Sequence, residues 1–276
     1  MSSNFNSLRV IEKIHETADS CSFLLDVPAS LKETYKYIPG QYLTVRVDVN
    51  GEDLRRAYSI FTAPCENKFG FTVKRVAGGK VSNHLIDNVN EGDALDVMKP
   101  EGKFIVETQH DLQRDHYFFA GGSGITPIMS MILSIIEEEP MSSVYLLYCN
   151  RNESSVIFKK QLTVLEHKHE QQFVFKNILS QPEQEKSKGI KGLLGGKQTN
   201  WKGWKGRING TLIGKFLEEN PSKSNNNLYY LCGPGGLIDI TENYLKSNGI
   251  DSSVINREYF TNPDQKEKVA EAATAA

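Results

Sequence analysis

The chain has 276 residues, of which 39% are hydrophobic and 24% charged, with 22 glycines and 10 prolines. That length allows two domains of about 100–150 residues each, and the composition excludes collagen-like, mucin-like and wholly disordered chains. Lys and Arg total 32 against 34 Asp and Glu, a formal charge of −2, so no global cationic field draws nucleic acid to the surface.

Residues 1–20 hold no continuous apolar run, and the longest apolar stretch, 125–136, is shorter than the roughly 20 residues that span a bilayer. The expectation is a soluble, cytoplasmic protein with neither a membrane nor a nucleic acid as partner. Over 5–106 the pattern is short alternating or apolar runs at 8–14, 22–27, 41–47, 57–61, 69–76 and 94–98. Pro39-Gly40, Asn50-Gly51 and Glu91-Gly92-Asp93 punctuate them, which is the grammar of an antiparallel barrel or sandwich. One helix interrupts it, starting after Gly78-Gly79 and running from Val81 to about Asp87.

Two places in this first region carry chemistry. Strand alternation puts Arg56, Tyr58 and Ile60 on one face, with Ala57 and Ser59 on the other. An arginine for a phosphate and a ring for a flat cofactor can then act together, although an exposed barrel strand with a basic face spells the same letters. Further on, Phe71-Thr72-Val73-Lys74-Arg75-Val76 precedes Gly78-Gly79-Lys80-Val81-Ser82, a strand entering a glycine turn and a helix N-terminus able to receive phosphate.

After the polar stretch 107–115 apolar strands alternate with helical segments, as in βαβ units around a parallel sheet. Strands are expected over 116–120, 144–149, 173–179, 228–232 and 253–256, and helices over 127–138, 154–166, 211–217 and 237–247. The last helix is expected to turn Leu237, Ile240, Tyr244 and Leu245 to one face and to stop at Gly249. The fold class is therefore two-domain, an antiparallel β-barrel domain over 1–110 followed by an α/β parallel-sheet domain over 111–262. Residues 263–276 form a tail that reads equally as an interdomain linker or a frayed terminus.

In the second domain Ala120-Gly121-Gly122-Ser123-Gly124-Ile125-Thr126-Pro127 follows a strand and opens a helix, so bare backbone sits where helix N–H groups can hold a pyrophosphate. Thr126 is expected to cap that helix and Pro127 to suit its first position; a purely structural turn is the competing reading. A second turn, Leu231-Cys232-Gly233-Pro234-Gly235-Gly236, lies at the carboxyl edge of the fourth strand, so two glycine-rich turns face one crevice. Cys232 has no adjacent His or basic residue and reads by composition as a small buried side chain rather than a nucleophile.

The end of the second strand, Asn150-Arg151-Asn152-Glu153, is where such folds choose between a ribose 2′-hydroxyl and a 2′-phosphate. Arg151 favours the phosphate, with Ser180 and Arg207 as helpers, while Glu153 pulls the other way. Cys21, Cys65, Cys149 and Cys232 show neither paired zinc spacing nor the C-x4-C-x2-C run of a plant-type iron–sulphur cluster. His167 and His169 would point to different sides of a helix, and no metal site is expected.

Arg56-Ala57-Tyr58-Ser59, Gly79-Lys80-Val81-Ser82, Gly121-Gly122-Ser123-Gly124-Ile125-Thr126-Pro127 and Cys232-Gly233-Pro234, in this order, resemble the ferredoxin–NADP reductase superfamily over residues 5–262. Val73-Lys74-Arg75-Val76, Tyr148-Cys149-Asn150-Arg151 and Arg257-Glu258-Tyr259-Phe260 look most like the flavin module of phenylacetyl-CoA-type oxygenase reductase components. That family adds a C-terminal [2Fe-2S] ferredoxin domain, which is not found here. The expectation is either a short relative that reduces a separate partner or a linker whose cargo is missing.

The resemblance implies FAD on the barrel domain, NADP (with NAD as the other option) on the α/β domain, and hydride passing from nicotinamide to flavin between them. It assigns the FAD pyrophosphate to Arg56, stacking to Tyr58 beside Ala57, and a flavin hydrogen bond to Ser59. Val73, Lys74, Arg75 and Val76 would border the ring and ribityl chain, with Gly79, Lys80, Val81 and Ser82 at the phosphate. Gly121, Gly122, Gly124, Pro127, Asn150, Gly233 and Pro234 would shape the nicotinamide nucleotide site. Thr126 and Cys232 would line the nicotinamide pocket, Glu258 would govern proton balance, and Phe260 would shield the ring, with Tyr259 competing for that role. Ser59, Cys232, Glu258 and Thr126 are thus the expected catalytic set.

Electrons would leave singly to a ferredoxin, a flavodoxin or an oxygenase component. A free-flavin or quinone reductase and a non-catalytic flavin- and nucleotide-binding regulatory subunit are the alternatives. The irregular stretch 181–210, with Lys186, Lys188, Lys191, Lys197, Lys202, Lys205, Arg207, Trp201 and Trp204, would steer an acidic carrier, assist the 2′-phosphate, or serve simply as a loop.

Overall fold

A computed structural model describes residues 5–186 and 197–260. The first half is a six-stranded antiparallel sheet of β1 (Phe5–Thr17), β2 (Ser20–Asp26), β3 (Tyr42–Val49), β4 (Glu52–Ser59), β5 (Gly70–Lys74) and β6 (Ala94–Met98), in the order β4-β3-β6-β1-β2-β5. Alternation along β3 buries Leu43, Val45 and Val47 against Phe23 and Phe71, whose rings stack at 5.4 Å. A bridge between Ile60 and Phe71 joins the two edge strands and curls the sheet toward a barrel. Helix α1 (Lys80–Asn88) plugs it with Val81, Leu85 and Ile86.

The second half is a six-stranded sheet of β7 (Asp115–Gly121), β8 (Ser143–Asn150), β9 (Phe173–Leu179), β12 (Trp204–Lys205), β13 (Asn227–Gly233) and β14 (Ile255–Tyr259). Their order is β12-β9-β8-β7-β13-β14, with every pairing parallel. Every residue of β7 is buried, as expected of a central parallel strand covered on both faces. Helices α2 (Ile125–Glu138), α3 (Lys159–Lys168), α4 (Gly210–Glu219) and α5 (Gly235–Ser247) supply the cover. The chain runs outward from β7 to β8 and β9, then returns to β13 on the other side, so the order reverses at β7 and opens a crevice at its carboxyl end.

The halves are fastened together at several points. Ser130 on α2 donates a 2.6 Å hydrogen bond to the Thr62 carbonyl, and Phe61 stacks on Phe158 at 5.2 Å. On the far side the connecting segment is gathered by Glu139, whose carboxylate accepts from the Gln109 N–H, Arg114 and Ser142. Burial opposes ionisation of Glu139, but hydrogen bonds from His116, Arg114 and Ser142 outweigh it and hold the carboxyl at about 2. His116 is kept neutral by burial.

Several boundaries differ from the sequence expectation. Strand β4 begins at Glu52 because Asn50 and Gly51 adopt positive φ (57° and 82°), forming a two-residue hairpin that pairs Val49 with Glu52. Helix α3 starts at Lys159, not at 154, because Phe158 sits at φ 58° and Asn152 and Ser155 cap a separate short turn. Thr126 does not cap α2: Gly124 takes that position, and the Thr126 hydroxyl donates to the Ser123 carbonyl at 2.8 Å from inside the first turn. Pro127 is accordingly the third helical residue rather than the first. Ile240 is exposed, since α5 buries Leu237, Ile238, Thr241 and Leu245 instead. The irregular stretch carries a short ribbon, β10 (Glu185–Lys186) with β11 (Lys197–Gln198), and β12; Lys188, Lys191 and the tail 263–276 lie outside the described residues.

Candidate active site between the two halves

A cavity of about 450 Å³ lies where the barrel meets the carboxyl end of the parallel sheet, within the usual range for small-molecule sites. Its barrel wall is the outer end of β4 (Arg55, Arg56, Ala57, Tyr58, Ser59), together with Tyr42, Thr72 and Lys74. Val76, Gly79, Lys80, Val81 and Ser82 close one end, while Ser123, Thr126, Glu258, Tyr259 and Phe260 reach in from the other half.

Each wall has a local cause. Gly79 precedes α1 with no side chain capping the helix, and Ser82 Oγ accepts the Val76 N–H at 3.1 Å, leaving its hydroxyl proton free to donate. A Cβ at Gly79 would crowd Ser82 Oγ at 2.9 Å, so the turn needs glycine to keep that hydroxyl in place. Tyr58 presents a largely buried ring whose phenol is pushed up by burial and stays neutral, tilted 30° against Phe71. Lys74 Nζ lies 3.7 Å from Asp19 and reaches across toward Gly122, where a Cβ would stand 3.8 Å away. Burial also raises the Glu258 carboxyl, bringing its titration nearer neutrality.

The glycines of the second half serve a different purpose. A Cβ on Gly124 would overlap the Cys232 carbonyl and stand 2.7 Å from the Gly233 N; on Gly121 it would meet Pro234 Cδ at 2.7 Å. A Cβ on Gly233 would stand 2.9 Å from the Gly121 N, so the two glycine-rich turns interlock backbone to backbone. Neither α2 nor α5 has a side-chain cap, which leaves both N-termini beside the crevice able to face an anion.

Half of the sequence-derived site residues line this cavity; Gly121, Gly122, Gly124, Pro127, Gly233 and Pro234 lie in or beside the glycine-rich turns rather than on its wall. Val73 is fully buried in the barrel core, because it alternates with Thr72 and Lys74. Arg75 turns away to grip Asp87 (2.6 Å) and Asn83 (2.9 Å). Cys232 is fully buried in the core that contains α2, with its thiol pushed well up by burial, and does not border the cavity. Asn150, Arg151 and Ser180 lie away from the cavity, at or beyond the ends of β8 and β9, and Arg207 follows β12, also off the cavity wall. There Arg151 Nε donates to Gln181 Oε1 at 3.0 Å and the Glu153 carboxylate accepts the Glu183 N–H at 2.8 Å. Tyr42 and Thr72 were not singled out from sequence; Thr72 was reachable, since it shares a strand face with Lys74.

The shape and chemistry fit a flavin dinucleotide. A ring-sized apolar wall of Tyr58 and Val81 stands beside Arg56, Lys74 and an uncapped helix N-terminus, the combination that a flat heterocycle and a pyrophosphate require.

Residues 7–105 match the oxidoreductase FAD-binding domain family, and residues 118–243 match the oxidoreductase NAD-binding domain family. One subunit of the 1,2-phenylacetyl-CoA epoxidase of Escherichia coli (strain K12) is 33% identical over 267 residues, covering 96% of this chain and 70% of that protein. The chain belongs to the ferredoxin–NADP reductase superfamily. A second superfamily relative, the ferredoxin reductase component of 3-ketosteroid-9-alpha-monooxygenase from Rhodococcus rhodochrous, is 31% identical over 92% of this chain and 64% of its own length. The fold is shared with the FAD/NAD-binding domain of nitric oxide dioxygenase from Vibrio cholerae O1 biovar El Tor, at a TM-score of 0.74 and 24% identity, covering 92% of this chain and 98% of that one. The superfamily member described here is an FAD- and NAD(P)-binding reductase, and none of its described helices is long and apolar enough to cross a membrane.

Proposed function

We propose that this reductase takes hydride from NADPH in preference to NADH and passes electrons singly to a ferredoxin-type iron–sulphur or flavodoxin acceptor that serves an oxygenase. The observation that carries this reading is one cavity lined by Arg56, Tyr58 and Ser59 from the first half and by Thr126, Glu258 and Phe260 from the second. Two molecules held from opposite walls meet there at contact distance, which removes most of the entropic cost of bringing them together.

FAD, when bound, supplies hydride acceptance and the splitting of an electron pair into single electrons. The chain's residues supply placement and charge. In this reading Arg56 and the N-terminus of α1 neutralise the pyrophosphate, Tyr58 and Val81 support the ring, and Ser59 orients it by hydrogen bonding. Thr126 and the interlocked glycine turns shape the nicotinamide side. Glu258, whose carboxyl is raised by burial, exchanges a proton at the cavity. Phe260, 44% exposed, covers the flavin until nicotinamide displaces it. The buried Cys232 thiol stays protonated and acts by packing behind the nicotinamide subsite.

Preference for the phosphorylated coenzyme is supported by Arg151, exposed at the end of β8 and steadied by Gln181, while Glu153 is engaged by the neighbouring loop. The acceptor class is supported by the two relatives, both components of oxygenase systems. The test is anaerobic addition of NADPH or NADH to the flavin-loaded protein, followed by ferredoxin, flavodoxin or free flavin. NADPH should bleach the flavin faster than NADH, and added ferredoxin or flavodoxin should stimulate turnover where free flavin does not. Bleaching without stimulation by either carrier removes the acceptor assignment, and absence of bleaching removes the enzymatic one.

A further inference from the structure

Beneath the cavity, on the sheet face turned toward the second half, three polar side chains form a connected line. Thr72 lines the cavity and is itself buried, and its Oγ1 lies 2.8 Å from Ser22 Oγ across the β2–β5 pairing. Ser22 Oγ in turn donates to Glu16 Oε1 at 2.8 Å. Because a serine has one hydroxyl proton and Ser22 gives it to Glu16, Thr72 must be the donor in the other bond. Every proton along the line therefore points from the cavity toward the carboxylate.

Glu16 is aimed there by an irregularity. The register of β1 with β2 slips between His15 and Thr17, so Glu16 is the extra residue of a β-bulge, a device that re-aims one side chain without disturbing its neighbours. His15 bonds Cys21 at 3.2 Å instead of joining the line. Glu16 is only partly buried and touches the other half through the Gln161 side chain and the Phe158 backbone, so it ends where water reaches the seam. Burial raises its carboxyl, with the hydrogen bonds from Ser22, Gln161 and Phe158 opposing. The titratable groups that sense it, Cys21 on β2 and Tyr148 on β8, are both held neutral by burial.

We propose that Thr72, Ser22 and Glu16 are a proton path from the flavin cavity to the seam between the halves. This rests on the reductase reading above. A hydride brings two electrons and one proton; when the electrons depart singly to one-electron acceptors, the proton stays behind and must leave. Thr72 Oγ1 accepts it while passing its own proton to Ser22 Oγ, and Ser22 passes its own to the Glu16 carboxylate. Each hydroxyl gains one proton and loses one, and the neutral Glu16 carboxyl releases the proton to water.

The experiment follows proton release with an indicator dye in weak buffer while the FAD-loaded protein is mixed with NADPH and ferricyanide. In Thr72→Val, Ser22→Ala and Glu16→Gln the first-turnover proton should appear at least about tenfold more slowly than the flavin is reoxidised, with Thr72→Ser restoring the match. Prompt release in both Thr72→Val and Glu16→Gln overturns the path. A second measurement needs no turnover: carbon-13 NMR titration of glutamate carboxyls in the flavin-free chain. A raised carboxyl should vanish in Glu16→Gln and shift further up in Ser22→Ala, which removes a bond to the charged form. If NADPH fails to bleach the unaltered protein, the reductase reading falls, and a Glu16 midpoint unmoved by Ser22→Ala then overturns the path separately.

Discussion

The glycine turn that opens onto the flavin side and the glycine turns of the nucleotide side look alike as letters yet work by different physics. At Gly78 the backbone has φ +72° and a Cβ would meet nothing within 4 Å, so the residue is chosen for a dihedral that L side chains disfavour. At Gly124 and Gly233 the constraint is space, because two turns from neighbouring strands press backbone against backbone, and at Gly121 a Cβ would strike the Pro234 ring and Leu237. The first kind of glycine turns the chain into the α1 N-terminus that faces a ligand, while its neighbour Gly79 leaves space beside the Ser82 hydroxyl. The second holds β7 and β13 at the spacing that places Thr126 and Glu258 across the cavity from Tyr58.

That contrast can be broken by substitution. Gly124→Ala should be the most damaging change, costing about 3 kcal/mol or more, because neither backbone can yield without moving a strand; the thermal midpoint reads it. An unaltered midpoint would mean the turns are not interlocked. Arg56→Ala should leave folding intact and weaken FAD retention by about 10- to 100-fold, the usual size of a lost charge-assisted hydrogen bond. The flavin-to-protein absorbance ratio after dialysis measures this, and full retention would remove Arg56 from the phosphate. Arg151→Ala should lower the NADPH-over-NADH ratio of kcat/KM by about tenfold. Gly78→Ala sharpens the comparison at its mild end: about 1 kcal/mol of backbone strain with no clash, visible in denaturant titration.

Much of the architecture was legible because both halves obey simple periods. Alternation with turn residues spelled the barrel, and apolar strands alternating with helices spelled the parallel sheet. The site was legible where chemistry sits on a strand face or in a glycine turn, as for Arg56, Tyr58, Ser59, Ser82 and Thr126. It was misleading where one strand carries both roles: Val73 and Arg75 share the motif with Lys74, but one is turned into the core and the other onto Asp87. Only the pairing of β5 with β2 reveals that Thr72 answers Ser22 and thereby Glu16.

Local sequence determined which segments become strands and where glycine turns precede helices, because those depend on residue type and short-range spacing, and its ordered motifs carry the family resemblance that implies FAD and a nicotinamide coenzyme. The tertiary structure decided which of those residues share one cavity. It alone brought Glu258 and Phe260 opposite Arg56 and Tyr58, roughly two hundred positions earlier in the chain. It also withdrew Cys232 into the core. Such choices follow from strand order and depend on contacts between residues far apart in the chain, which no short window of letters contains.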